Sequence, residues 1–393
     1  MCRCLWRWLH TKRHNQTTGH STLTQIIIER AVHMSIEQQA TFWLRNVNNY
    51  DGEQGDFPLL SNGYRAFSDL MKKIYGDYHL YEISTAESVQ TKIGIMADDL
   101  ENYHNLTETV DCLYQMAAIG VLCGEGSINY LEIIKAEFKR AFKGSATFLF
   151  QILENHGFYF KYIKNGKEVS EYKNCDVFHL FNDNDAEIIS AMAYICEVLP
   201  DINAKDDYIG KKNLLFSIAD FDIILLKNST KQFDIDPLKS GIINTAGSKG
   251  ELWYEIIRIF VNEMKFTVRA YINPYVFPNW TVKFLDKKKT IATFIITPDV
   301  IKIELMLSYD TAKEVVRDRK NLPKIINASI DRFGCIGCGK CPGQSNIELF
   351  EGVNLCKLSS TSFFGGESRI ITGEIVSLEE VAAIYGIVKR MLT

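Results

Sequence analysis

The sequence predicts an α+β protein in which a mainly helical N-terminal half, with the element order of a winged helix, precedes an antiparallel meander domain carrying a C-terminal four-cysteine module. Three observations carry this. From Ser35 to Leu199 apolar residues recur at helical spacing; from Thr281 to Leu307 the period falls to two; between Phe333 and Cys356 four cysteines stand at ligand-like intervals. With 393 residues, 46% of them hydrophobic, and eight prolines, the chain can bury a sizeable core and form two or three domains.

The first 33 residues stand apart. They hold Arg3, Arg7, Lys12, Arg13 and Arg30 against one acid, Glu29, together with His10, His14, His20 and His33, and they sustain no period. They read as a disordered leader or a mis-assigned start, with Met34 as the functional beginning. A mitochondrial-type presequence would need an amphipathic helix that these residues do not write. The remainder is more acidic than the net charge of −4, which argues against a duplex-coating nucleic-acid binder. No apolar run approaches membrane-spanning length, so the expected location is cytoplasmic, with reduced or metal-bound cysteines.

In the first half, Ser35 and Gln38 form a capping box that opens a helix with Ile36, Ala40, Trp43 and Val47 on one face. Further stripes are Phe67, Leu70, Met71 and Ile74; Val89, Ile93, Met96 and Leu100; and Val110, Leu113, Ala117 and Val121. Helices are predicted from Asn129 to Phe142 and from Ala146 to Glu154, broken at Lys143-Gly144-Ser145. A hairpin follows, in which Phe158 to Tyr162 meets the turn Asn165-Gly166. Helix, turn, helix, hairpin is the winged-helix order. A helix from Asp185 to Val198 closes the domain 34–199.

Residues 200–247 read as a connection, within which Phe221 to Leu226 is a strand or a buried helix. A helix from Glu251 to Met264, with Leu252, Ile256, Ile259 and Phe260 inward, opens the domain 248–330. Strands follow at 281–284, 290–296 and 301–307, with turns at Asp286 to Lys289 and Pro298-Asp299. Next come a helix near Thr311 to Arg319 and the segment 331–393. That segment holds the cysteines and a last helix with the box Ser377/Glu380 and the face Val381, Ile384, Tyr385 and Val388.

The run ELWYEIIRIFVNEMKF, with NWTVKFLDKKKTIATFIITPDVIKIELMLS after it, resembles the small bacterial domains of the YjbR and YdhG group. In that group a Leu-Trp helix precedes a meander whose strand opens on Trp. The likeness spans about residues 250–320, under a fifth of the chain, and rests on apolar and turn residues. It implies a fold and leaves the chemistry open.

The strongest chemical signal is Cys335, Cys338 and Cys341 in C-x2-C-x2-C spacing, with Gly334, Gly337 and Gly339 between or beside them and Cys356 as a fourth ligand. The bland alternative is scattered thiols packing as small hydrophobes, the reading given to Cys112, Cys123, Cys175 and Cys196. A bacterial ferredoxin motif would place its fourth cysteine at 345, where Ser345 stands, and its proline after that cysteine, whereas Pro342 follows the third. One 4Fe-4S cluster closed by Cys356 and one structural zinc therefore both stay open. Radical-SAM chemistry wants C-x3-C-x2-C and is excluded. Two overlapping C-x-x-C pairs in a Gly-rich loop suit a thioredoxin role poorly.

Two further surfaces are candidates. Lys135, Lys139, Arg140 and Lys143 share one helix face, and the hairpin adds Lys161, Lys164 and Lys167, so nucleic acid is a possible partner; the alternative is a solvated face. Tyr271, Tyr275, Phe277 and Trp280, around Pro274 and Pro278, could line a ligand groove on the meander's open side or simply pack the loop. His79, His104, His156 and His179 have no ligand-spaced neighbours, and no phosphate loop or nucleophile motif is present. The expected function is a non-enzymatic binding or regulatory protein with a structural metal; the alternative is an iron–sulfur redox protein.

Overall fold

The computed structural model describes residues 35–47, 61–81, 97–125, 128–144, 146–183, 186–198, 235–273, 278–334, 346–358 and 369–392. They fall into two compact units, one ending at Val198 and one beginning at Ile235. Both combine helices with antiparallel sheet, which makes the protein α+β.

The first unit opens with α1 (Ile36–Asn46), capped as expected: Gln38 N donates to Ser35 Oγ at 3.2 Å, and Ser35 N donates to Gln38 Oε1 at 3.1 Å. Trp43 stacks on Tyr75 of α2 (Ser61–Gly76) with ring centroids 6.2 Å apart. The long helix α3 (Ala97–Ile119) stops at Gly120, whose amide donates to Met116 O at 2.9 Å. A Cβ at position 120 would lie 2.6 Å from that same carbonyl, so only glycine makes this junction. The chain passes at once into β1 (Val121–Glu125), which is why Val121, expected on the helical stripe, is a strand residue and 64% exposed.

The helix expected from Asn129 begins only at Lys135. Residues Ile128–Ile134 are strand β2, because Leu131 and Ile133 point to the core while Tyr130 and Glu132 point away, and pairing with β5 satisfies the backbone. Then come α4 (Lys135–Ala141), α5 (Ala146–Glu154), β3 (Phe158–Lys164), β4 (Lys167–Val169), β5 (Val177–Asn182) and α6 (Ala186–Val198). The hairpin β3–β4 is not a free wing. It is one edge of a five-stranded antiparallel sheet ordered β1-β2-β5-β3-β4. Phe138 of α4 lies 5.4 Å from Phe178, and Phe150 of α5 stacks on Phe160 at 4.1 Å, so both helices cover the face that carries Leu131, Ile133 and Leu180.

The second unit begins with α7 (Ile235–Ala246), a helix where the sequence suggested connection. Thr245 O accepts from Asp299 N at 3.3 Å, which ties α7 to the turn between two strands. Helix α8 (Gly250–Ile257) continues as a π-helical turn (Arg258–Glu263), with Met264 N reaching back five residues to Ile259 O at 3.0 Å. The wider turn buries Ile256, Ile257, Ile259 and Phe260 together. Strands β6 (Thr267–Asn273), β7 (Asn279–Asp286), β8 (Lys289–Thr297) and β9 (Val300–Met306) form the predicted meander with one strand more at its start. Trp253, Phe260, Phe284 and Phe294 meet on its core face, the closest pair at 4.8 Å.

After β9 come α9 (Tyr309–Arg317), capped by Ser308 Oγ accepting from Thr311 N at 3.1 Å, and α10 (Lys324–Ile330). A small hairpin of β10 (Ile347–Phe350) and β11 (Val353–Cys356) follows. Then β12 (Ile370–Glu374) pairs with β9, completing a sheet ordered β12-β9-β8-β7-β6, and α11 (Leu378–Leu392) ends the unit. At the start of α11 Glu380 N donates to Ser377 Oγ at 3.3 Å. The Glu380 carboxylate accepts from Val376 N at 2.7 Å, one residue earlier than a capping box requires.

Candidate functional site

Of the four cysteines proposed as ligands, Cys356 lies among the described residues; Cys335, Cys338 and Cys341 lie outside them. Among the described residues no three His, Cys, Asp or Glu side chains form a metal-binding group. What is described is the platform around Cys356. The hairpin turns at Glu351-Gly352, both with positive φ (47° and 81°), the pairing a two-residue hairpin loop demands. Cys356 ends β11 opposite Ile347 and is 2% exposed.

The two residues that bracket 335–345 both rest on this strand. A Cβ on Gly334 would lie 3.9 Å from both Cβ and O of Asn354, and Lys357 N donates to Asn346 O at 2.9 Å. Asn354 and Cys356 are two apart on one strand and so share a face.

The platform is ringed by cations. Lys313 Nζ reaches Glu348 Oε1 at 3.1 Å and sits 4.8 Å from the Tyr309 ring centroid and 5.2 Å from that of Phe350; Arg317 lies 5.0 Å from Phe350. These contacts fasten the hairpin to α9. Arg369, 4% exposed, donates through Nη1 to Cys356 O and through Nε to Leu307 O at 3.4 Å. Burial pulls its pKa down, while the nearby Cys356 and Asp310 act the other way.

The basic surface is not assembled as the sequence suggested. Lys135 turns inward: its Nζ donates to Lys173 O at 2.7 Å and Cys175 O at 3.0 Å and sits 5.0 Å from the Tyr172 ring centroid. Lys139 and Arg140 are exposed on α4, on the helix-covered side of the sheet. Lys161 projects from the opposite side, where β3 pairs it with His179, and its Nζ lies 5.1 Å from the Phe181 ring centroid. The four cations thus do not share a face.

That opposite side carries an arrangement the sequence reading missed. Tyr130, Phe181 and Tyr159 stand in one row across β2, β5 and β3, with centroids 5.1 Å and 4.6 Å apart. Glu132, His179 and Lys161 make the next row, with Glu132 Oε2 3.2 Å from His179 Nε2. Assigning 129–134 to a helix hid both rows; the alternation of Tyr130, Leu131, Glu132 and Ile133 was the available signal.

Of the aromatic residues proposed to line a groove, Trp280 is corrected. Trp280 is 1% exposed on the core face of β7, in register with Ile272 and Ile296, so it belongs to the core. Tyr271 is on β6 opposite Thr281, and Tyr275 and Phe277 lie outside the described residues.

No family model, curated protein or solved structure matches the chain. Among the described residues no helix is long and apolar enough to cross a membrane.

Proposed function

We propose that this is a non-enzymatic binding or regulatory protein of the cytoplasm, in which Cys335, Cys338, Cys341 and Cys356 hold a structural zinc ion. The observation that carries the reading is the anchoring of Gly334 and Asn346 on the strand that ends in Cys356. Cys335 follows Gly334 directly in the chain, so their Cα atoms are about 3.8 Å apart. Four thiolates around zinc carry net negative charge, and Arg369 beside Cys356 offsets it. A closed four-thiolate site would pin the segment between α10 and β12.

The same residues would also serve one 4Fe-4S cluster, and an iron–sulfur redox protein is the second reading, favoured by the C-x2-C-x2-C triplet. Metal analysis of protein purified without oxygen separates the two. About one zinc per chain in a colourless sample supports the structural site; a brown sample with iron and labile sulfide supports the cluster. Protein with neither metal overturns both.

Nucleic acid is the weaker partner. Helices α4 and α5 precede the hairpin β3–β4, and Lys139, Arg140 and Lys143, whose Nζ donates to Lys139 O at 2.7 Å, are exposed, but Lys135 turns inward and Lys161 lies on the other side of the sheet. The likeness of residues 250–320 to the YjbR and YdhG group would add a relationship of fold.

A further inference from the structure

We infer that occupancy of the four-cysteine site controls whether strand β12 stays in its sheet, a device that rests on Cys335, Cys338, Cys341 and Cys356 holding one metal ion together. Strand β12 borders the second unit's sheet and pairs with β9. Leu307 N donates to Arg369 O at 2.9 Å and Ile375 N donates to Ile301 O at 2.8 Å, so residues 369, 371, 373 and 375 turn their backbone groups toward β9. Thr372 turns its own the other way. There Thr372 N donates to Ser329 Oγ at 3.0 Å, and Arg332 Nη2 donates to Thr372 O at 3.2 Å. Ser329 and Arg332 stand six and three positions before Cys335. The outer side of β12 is therefore held by the stretch that leads into the cysteine triplet.

The start of the strand is held from the other arm. Arg369 accepts from Leu307 N through its main chain and donates to Leu307 O through Nε at 3.4 Å, so it is a rung of the β9–β12 ladder; its Nη1 donates to Cys356 O. One grip on β12 thus comes from the residues before the first cysteine and the other from the carbonyl of the last. A metal bound by cysteines of both arms closes the two grips into a clasp. Border strands open at low free energy, and a ligand that needs both arms in place favours the closed arrangement by mass action. When the metal leaves, β12 opens more often. What opening uncovers is the edge of β9, with the backbone groups of Ile303 and Leu305 that pair with Gly373 and Ile371.

The test compares the full chain, stripped of metal by a chelator in reducing buffer, with the same chain reloaded with zinc, by hydrogen exchange read on peptides. With free zinc at about ten times its dissociation constant, exchange in β12 is expected to slow by about tenfold, and exchange between β7 and β8 to slow less. Arg369→Met and, separately, Ser329→Ala each remove one grip, and each is expected to bind zinc in the parent ratio while losing most of the slowing in β12; should a variant misfold, the parent with and without zinc decides. No zinc uptake by the parent overturns the metal site and the inference with it. About one zinc per chain with unchanged exchange in β12 overturns the inference alone. Equal slowing in β12 and between β7 and β8, or variants that keep the full slowing, overturns it too.

Discussion

The Arg369 guanidinium, buried in the second unit, donates to the main-chain carbonyl of Cys356 and, through Nε, to that of Leu307. Two carbonyls from segments far apart in sequence thus depend on one side chain. Arg369→Met keeps most of the volume and removes both donors, leaving the acceptors dry. The expected loss is about 2–4 kcal/mol in urea unfolding. Stability within about 0.5 kcal/mol of the parent would show that the carbonyls find other donors.

His156 is fully buried, with Nδ1 3.9 Å from Asp77 Oδ2, and burial lowers its pKa from 6.5 to about 4. Unfolding returns it to 6.5, so between these values the unfolded chain binds the extra proton. Stability is therefore complete above pH 6.5, falls as the pH drops, and levels off near 4, for about 3 kcal/mol from this group. His156→Gln should flatten that part of a stability–pH curve. An unchanged slope would assign it to other groups.

Phe284 touches Trp253, Phe260 and Phe294 and has no exposed surface. Phe284→Ala is expected to cost about 3–5 kcal/mol. Leu349 is 72% exposed on the small hairpin, and Leu349→Ala should stay within about 0.5 kcal/mol. Equal effects in chemical denaturation would contradict the position assigned to the core.

Gly120 separates α3 from β1 with no room for a side chain. Since the atom in the way is a main-chain oxygen, Gly120→Ala must move backbone, at about 1–3 kcal/mol. Thermal melts measure this directly, and an unshifted midpoint would mean that the junction relaxes freely.

Much of the fold was legible because local pattern and tertiary pairing agree. Ser35 with Gln38 opens a helix, Leu252, Ile256, Ile259 and Phe260 face a core, and Ile301, Ile303 and Leu305 alternate in β9. Where they disagree the sequence misleads. The run from Ile128 to Ile134 fits a helical stripe or a strand, and β5, more than forty residues later, decides it. Trp280 is equally apolar in a groove or a core, and only the register of β7 places it. In the candidate site the C-x2-C-x2-C spacing was readable, whereas Arg369 was not: an arginine gives no sign in sequence that it will turn inward.

The sheet of the second unit has a history as well as a shape. Strands β6 to β9 follow one another along the chain and zip by short turns, but β12 arrives late, its flanking Arg369 bonded to Leu307 across 62 positions. On a chain made from its N-terminus, β9 waits unpartnered on one side until β12 is added, and closing so long a loop is slow. In pulsed hydrogen exchange during refolding, amides between β7 and β8 should gain protection before those between β9 and β12. Simultaneous protection would show that the two events are one. The order of synthesis thus leaves Ile303 and Leu305 dependent on a strand made much later for their seal against water.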